Sequence, residues 1–307
     1  MTRKVIKSGG TGLIGTNLCN KLTSEGYKVH ILTRSPGKHS SNNQLIEYNK
    51  WSVEKDASEY RELFEGSIAV INLAGANLGE KRWTDEFKKV IYNSRIDTTK
   101  KIVEVIGLCN KKPLCLISAS GTNIYKDNGN NIINEESELD DSFLAKICKD
   151  WESAAEKASE LDVRVVCVRT GVVLDRNEGA IPELELPFKL FLGGPQGNGK
   201  QYFSWIHLKD IIDLYYWAIT NQNISGPLNG TSPNPARNKD FCKRLGKALG
   251  RPSWLPVPGF ALKLVIGEFA ESLLVSLRVI PEKALNEGFN FSFPVLENAL
   301  KDIFKND

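Results

Sequence analysis

Several things are scarce in this sequence, and each absence narrows the reading. Among 307 residues there are only three histidines, His30, His39 and His207, widely separated, which argues against a zinc site; no metal is expected. The six cysteines, Cys19, Cys109, Cys115, Cys148, Cys167 and Cys242, never form a C-x-x-C pair and sit mostly among apolar neighbours. That is the usage of a reduced compartment, with cysteine as a small core residue. No stretch reaches the roughly 18–20 apolar residues of a membrane span. The basic start Met1-Thr2-Arg3-Lys4 is followed by Lys7-Ser8-Gly9-Gly10. This breaks the apolar run well short of the ~7–15 residues of a secretory signal. A cytoplasmic or organelle-matrix location is therefore expected, and the sequons beginning at Asn223, Asn229 and Asn290 carry no weight. Charge of one sign is missing too: 40 Lys+Arg against 37 Asp+Glu leave +3. Such a balance argues against nucleic acid or an anionic membrane surface as partner. A small-molecule role remains by elimination, in a monomer or homodimer.

What is present is enough apolar residue, 41%, for a packed core, and a repeating order of segments. Val5-Ile6 begins a strand, and Leu13, Ile14, Leu18 and Leu22 recur at helical spacing before Gly26. Strand-like runs follow at 28–33, 45–48, 68–73, 114–118 and 163–168, with helical stretches at 85–108 and 141–161. Alternation of β-branched apolar strands with helices predicts an α/β protein, a Rossmann-type doubly wound parallel sheet covered on both faces. Ligands in such sheets bind at the carboxyl ends of the strands. After Gly171 glycine and proline become frequent, a helix is expected at 209–220 and a short strand at 228–230. The apolar segment 260–279 is interrupted by Lys263, Glu268 and Glu271 and reads as a buried helix. The expected division is a nucleotide-binding domain at 1–175, re-entered at about 205–232. A smaller, mostly helical C-terminal substrate domain takes 176–204 and 233–307.

The segment from Ser8 to Gly15 follows the first strand and opens the first helix. Gly9, Gly12 and Gly15 permit the tight turn, the approach of a pyrophosphate and close helix–sheet packing. The helix start offers free N–H groups and a positive dipole end to phosphates. A glycine triplet alone is a weak signal; strand before and helix after make this one a dinucleotide site. For NAD an acid is expected at the end of the second strand, about 20 residues on. None stands between Glu25 and Glu47; instead the strand ends Leu32-Thr33-Arg34. Arg34 can fork onto a 2′-phosphate, so NADP(H) is the expected cofactor.

Further segments extend the pattern: VINLAGANL (70–78), ISAS (117–120), RTGVVLD (169–175), LPFKLFLGGPQGNGKQ (186–201), ALGRP (248–252) and VIPEKALNEGFNFSFP (279–294). Together with SGGTGLIG (8–15) and LTRSPG (32–37) they resemble the extended and atypical short-chain dehydrogenase/reductases. The likeness is greatest to the epimerase family with its own C-terminal domain. It covers nearly the whole chain. The resemblance implies that Gly9, Gly12, Leu13, Ile14, Gly15, Thr33 and Arg34 hold NADP(H), with Asn72, Leu73 and Arg95 as further contacts. Ala74, and Ser118 after the fifth strand, complete the expected cofactor set.

The superfamily's usual proton-transfer pair is Tyr-x-x-x-Lys on one helix face, where lysine lowers the tyrosine's pKa. None of the eight tyrosines here has lysine four positions later, and Ala145 and Ser142 precede Lys149 and Lys146 at that spacing. Candidates left for catalysis are Ser120 and Tyr125, able to polarise a substrate oxygen, with Lys149 as a charge. Trp151-Glu152 reads as packing, His207 as a structural histidine placed to reach the pocket, and 193–201 as a flexible lid or substrate loop. Two functions follow. One is an NADP(H)-dependent oxidoreductase or epimerase acting on a small polar metabolite. The other is a non-catalytic NADPH-binding regulator.

Overall fold

The structure, a computed structural model, describes residues 3–305; Met1 and Thr2 of the basic start lie outside them. The first half alternates strand and helix as β1 (Arg3–Ser8), α1 (Leu13–Ser24), β2 (Tyr27–Thr33), β3 (Ile46–Lys50), α2 (Arg61–Phe64), β4 (Ala69–Asn72) and α3 (Asp85–Leu108). It continues with β5 (Cys115–Gly121), α4 (Phe143–Glu156), β6 (Arg164–Thr170), β7 (Val172–Leu174) and α5 (Ala180–Lys189). Then come β8 (Tyr202–Phe203), β9 (Trp205–His207), α6 (Leu208–Thr220), β10 (Gly226–Gly230), β11 (Ala236–Arg237) and α7 (Asn238–Ala248). The last helices are α8 (Gly259–Ile266), α9 (Phe269–Leu274), α10 (Glu282–Asn286) and α11 (Leu296–Ile303).

Seven strands form one parallel sheet in the order β10-β6-β5-β4-β1-β2-β3. From β1 the chain winds outward to β3, returns to β4 on the other side and continues to β10. The order therefore reverses between β1 and β4, the point at which open sheets of this kind bind ligands beyond the strands' carboxyl ends. Neighbours along a strand face opposite sides, so both faces need apolar cover. Val5, Val29 and Ile71 pack under α1 and α6, whereas Ile6, Val70 and Leu116 meet Ile102, Val105 and Ile106 of α3. A separate core joins α5, α7 and α11 around the fully buried Trp205. The chain leaves the sheet after β6 and re-enters through α6, on α1, and β10, paired with β6. Among the described residues no helix is long and apolar enough to cross a membrane.

Three expectations need correction. Strand β5 runs to Gly121, because its ladder with β6 continues to Gly121 and Thr170, so Ser118 and Ser120 lie in a strand rather than a loop. The segment 260–279 is not one buried helix. Gly267, at φ +67°, stops α8, and Phe260, Leu264 and Val265 stand exposed. In 193–201 the first glycines serve close packing against protein. A Cβ on Gly193 would lie 2.3 Å from the Phe188 ring, and one on Gly194 2.0 Å from the Leu255 carbonyl.

Candidate functional site

The turn between β1 and α1 is set by steric necessity. Gly9 has φ +65°, and a Cβ there would meet the Leu73 carbonyl at 2.5 Å. A Cβ on Gly15 would lie 2.2 Å from the Gly9 oxygen, so the first helical turn rests directly on the loop. Around Gly12 nothing lies within 4 Å of the same probe, which leaves that backbone open to a ligand. Gly12 caps α1 without a side chain, and the first turn, which holds Leu13 and Ile14, carries no acid. An anion approaching this helix start thus meets N–H groups and no opposing carboxylate. Beneath the loop, Lys7 is fully buried; its Nζ donates to the Gly15 carbonyl and approaches Cys19 Sγ at 3.2 Å. Burial lowers its pKa, and the Cys19 contact only partly offsets this.

At the end of β2, the Thr33 hydroxyl accepts the Ser35 N–H (3.3 Å) and Arg34 is exposed. Glu47, on neighbouring β3, is paired instead with Lys28 at 3.0 Å. At the end of β4, Asn72 is fully buried: its Oδ1 accepts from Ser8 Oγ (2.6 Å) and its Nδ2 donates to Thr99 Oγ1 (2.7 Å). The Asn72 side chain therefore ties β1, β4 and α3 together, and the partly exposed Leu73 and Ala74 follow it with their backbone against Gly9. Arg95 is no free surface arginine. Its guanidinium donates to the Ile91 (2.9 Å) and Ala76 (3.1 Å) carbonyls and lies 5.3 Å from the Trp151 ring. Burial pulls its pKa below the usual arginine value.

A cavity of about 290 Å³ opens beyond the carboxyl ends of β5 and β6, with Arg95, Ser120, Thr122, Asn123 and Thr170 on its wall. From α4 it receives Leu144, Ile147, Cys148 and Trp151. The cavity-facing i, i+4 pairs of this helix are thus Leu144 with Cys148 and Ile147 with Trp151, neither of them a tyrosine with a lysine. Burial pushes the Cys148 thiol up to about 11. A wider groove of about 550 Å³ lies elsewhere, around α1, α6 and α11, where Lys21, Lys209 and Asp213 form ion pairs.

Ser120 is the candidate that reaches the cavity. Its Oγ donates to Glu152 Oε1 at 2.6 Å. Glu152 in turn takes two bonds from Arg169, Nε to Oε1 (2.8 Å) and Nη2 to Oε2 (2.7 Å). Burial opposes the Arg169 charge, but Glu152 and Tyr125 outweigh it and hold the pKa above the ordinary arginine value. Tyr125 belongs to this network rather than to the cavity. Only 1% exposed, it donates to Asn229 Oδ1 (2.7 Å) and accepts from Arg169 Nη1 (2.9 Å). Burial pushes its phenol up to about 12. Lys149 points elsewhere, paired with Asp141 at 2.7 Å, and Ser118, fully buried, gives its hydroxyl to the Ala119 carbonyl (3.3 Å). His207 caps α6, its Nδ1 accepting the Lys209 N–H at 3.1 Å, and lines the other groove. Sequence reasoning missed the Glu152–Arg169 pair, since helix and strand spacing give no sign that two distant charges meet.

The comparisons agree with this geometry. The model of the NAD-dependent epimerase/dehydratase family matches residues 6–229, and a domain of unknown function matches 257–303. The chain is 39% identical over 302 residues to the chloroplastic SDR39U1 homologue, an epimerase family protein of Arabidopsis thaliana, across 97% of this chain and 86% of that protein. It superposes on the human epimerase family protein SDR39U1, crystallised with NADPH, with a TM-score of 0.86 and 33% identity. That match covers 99% of this chain and 100% of the human one. A structure described as a nucleoside-diphosphate sugar epimerase, from Corynebacterium glutamicum, gives 0.79 and 31% over 99% of this chain and 59% of that one. With the glycine cradle, the strand order and these likenesses together, the chain belongs to the NAD-dependent epimerase/dehydratase family.

Proposed function

We propose that this chain is an NADP(H)-dependent oxidoreductase or epimerase of a small molecule. One observation carries the reading: Ser120, on the wall of a cavity at the carboxyl edge of the sheet, is oriented by the buried Glu152–Arg169 pair. The dinucleotide fits the residues present. The open Gly12 backbone and acid-free start of α1 suit a pyrophosphate, and exposed Arg34 suits a 2′-phosphate. Gly9, Gly12, Leu13, Ile14 and Gly15 would hold the phosphates, with Leu73, Ala74 and Arg95 beside the ribose. When bound, the cofactor supplies a hydride donor or acceptor.

Ser120 offers its Oγ lone pairs to a substrate hydroxyl, or turns its proton toward a substrate oxygen when Glu152 releases it. Glu152 acts as a positioning residue, held by two charge-assisted bonds that fix the angle at which Ser120 meets the cavity. Tyr125 steadies Arg169 from behind. Six free, buried thiols suit a reducing cytoplasm or organelle matrix.

A second reading, an NADPH-binding regulator, is favoured by the Leu144–Cys148 and Ile147–Trp151 pairs at the cavity-facing i, i+4 positions of α4. The two separate in an NADPH-oxidation assay over a panel of carbonyl compounds. The enzyme reading expects turnover that falls about 10²-fold or more in Ser120→Ala, within the range of a lost proton-transfer group. Tight NADPH binding without oxidation of any compound would leave the regulator.

A further inference from the structure

The walls of the Ser120 cavity bear on what enters it. From α4 come Leu144, Ile147 and Trp151, and from the segment around α9 come Phe269, Leu273 and Leu277. Ligand pockets in general are largely apolar, so the apolar count alone decides little. The decisive feature is what the polar lining residues do. Ser204 Oγ donates to the Leu277 carbonyl, and Ser272 Oγ to the Phe269 carbonyl at 2.7 Å. Ser120 is engaged with Glu152, and Arg95 donates to two backbone carbonyls. Among the described residues no carboxylate or lysine lines the cavity, and Arg95 is its only charged group.

Recognition of a polyhydroxylated substrate needs a donor or acceptor for every hydroxyl taken out of water. Each one left unmatched costs about 1–3 kcal/mol. Arg95, Ser120, Thr170, Ser204 and Ser272 are already committed to protein partners, which leaves, among the described residues of this wall, only the Thr122 and Asn123 side chains and the Tyr202 hydroxyl to meet substrate oxygens. The nearest arginines at Tyr202, Arg237 and Arg278, are likewise engaged, with Lys200 O (2.8 Å), Asn130 Oδ1 (3.0 Å) and Asn130 O (3.0 Å). The cavity of about 290 Å³ has room for a ring-sized fragment against α4 and α9 and is open to solvent beyond it.

We infer that the substrate is a neutral, largely apolar carbonyl compound or its alcohol, with one oxygen directed at Ser120 and the remainder against α4 and α9. This rests on the redox reading above and departs from the polar metabolite expected from the sequence. The class of reaction is carbonyl reduction, in which NADPH gives hydride to the carbonyl carbon and becomes NADP⁺ while the oxygen takes a proton from the Ser120 hydroxyl, replaced from solvent water; the reverse oxidises the alcohol and returns that proton to solvent.

The test is calorimetric titration of the whole protein, with and without saturating NADP⁺, using acetophenone, dihydroxyacetone and UDP-glucose as probes. NADPH affinity is measured separately on the same preparation. Acetophenone is expected to bind at least tenfold more tightly than the other two. Leu273→Gln, at a partly exposed position, is expected to weaken acetophenone at least tenfold while the NADPH Kd stays within about twofold, because Leu273 lies away from the glycine loop. Tighter binding of dihydroxyacetone or UDP-glucose would overturn the inference, as would failure of acetophenone to bind in either state. So would an unchanged acetophenone Kd in Leu273→Gln. Loss of NADPH binding alone would count against the cofactor reading and leave the comparison among probes in the unliganded protein to decide the substrate class.

Discussion

Replacing Arg34 by alanine separates the two nicotinamide dinucleotides. Its guanidinium stands exposed after β2, beside which the proposed dinucleotide would set its adenosine ribose, and the nearest acid on β3, Glu47, is paired with Lys28. A charge-assisted hydrogen bond contributes about 1.5–3 kcal/mol, and about 1.4 kcal/mol is tenfold in affinity. The loss for NADPH is then about 10- to 150-fold. Exposure and screening by salt favour the lower end, roughly 10- to 30-fold near 0.15 M, with a larger loss at lower ionic strength. NADH lacks the 2′-phosphate and should change by less than about twofold. Arg34→Lys keeps the charge but loses the fork, so an intermediate loss is expected. Fluorescence titration of both dinucleotides against the three proteins reads all of this. An equal loss for NADPH and NADH, or none for either, would refute the assignment of Arg34 to the 2′-phosphate.

Other predictions follow from particular contacts. Gly15→Ala drives a Cβ into the Gly9 carbonyl, so thermal melts should show about 1–3 kcal/mol of lost stability and NADPH binding should weaken more than tenfold; unchanged values would mean the loop relaxes freely. Lys7→Met removes a buried charge with no carboxylate partner among the described residues, and urea unfolding should show a gain of about 1–4 kcal/mol. A loss would mean its bonds to Gly15 and Cys19 outweigh desolvation. Because burial lowers the Lys7 pKa, the unfolded chain binds more protons, so wild-type stability should rise as pH climbs toward about 10.5 and the variant should lose that rise. His207 is also lowered by burial, with Asp210 and Asp302 only partly compensating. Its contribution is present above about pH 6.5 and is lost as pH falls through the folded value, when Nδ1 can no longer accept from Lys209. Melting temperature followed from pH 7.5 to 5 should fall less steeply in His207→Gln; an identical slope would assign the acid sensitivity elsewhere, His30 being lowered by burial as well.

The elements nearest the glycine loop were legible because they depend on local chemistry. Gly9 needs a positive φ, Gly15 a bare Cα, and the apolar runs at β1, β4 and β6 need cover on both faces. The cavity was less legible. Ser120 was a candidate by its position after a strand, yet its orientation depends on Glu152, 32 residues away, and Arg169, 17 residues further. Tyr125 and Lys149 look equally suitable by position, but one is sealed behind Arg169 and the other turns to Asp141. An amphipathic pattern states that a helix has an inner face, without saying which groups meet there. The same limit explains 260–279, where apolar composition predicts burial and Gly267 instead leaves Phe260, Leu264 and Val265 exposed.

By itself the sequence determined the parallel sheet, the dinucleotide cradle and the missing Tyr-x-x-x-Lys pair, since each is a matter of periodicity, steric allowance or spacing along the chain. Only the tertiary structure decided which hydroxyl faces the cavity and how its charge partners are paired. It also decided which polar groups are already committed to protein, because burial and hydrogen-bond partnership arise between segments that the chain keeps far apart.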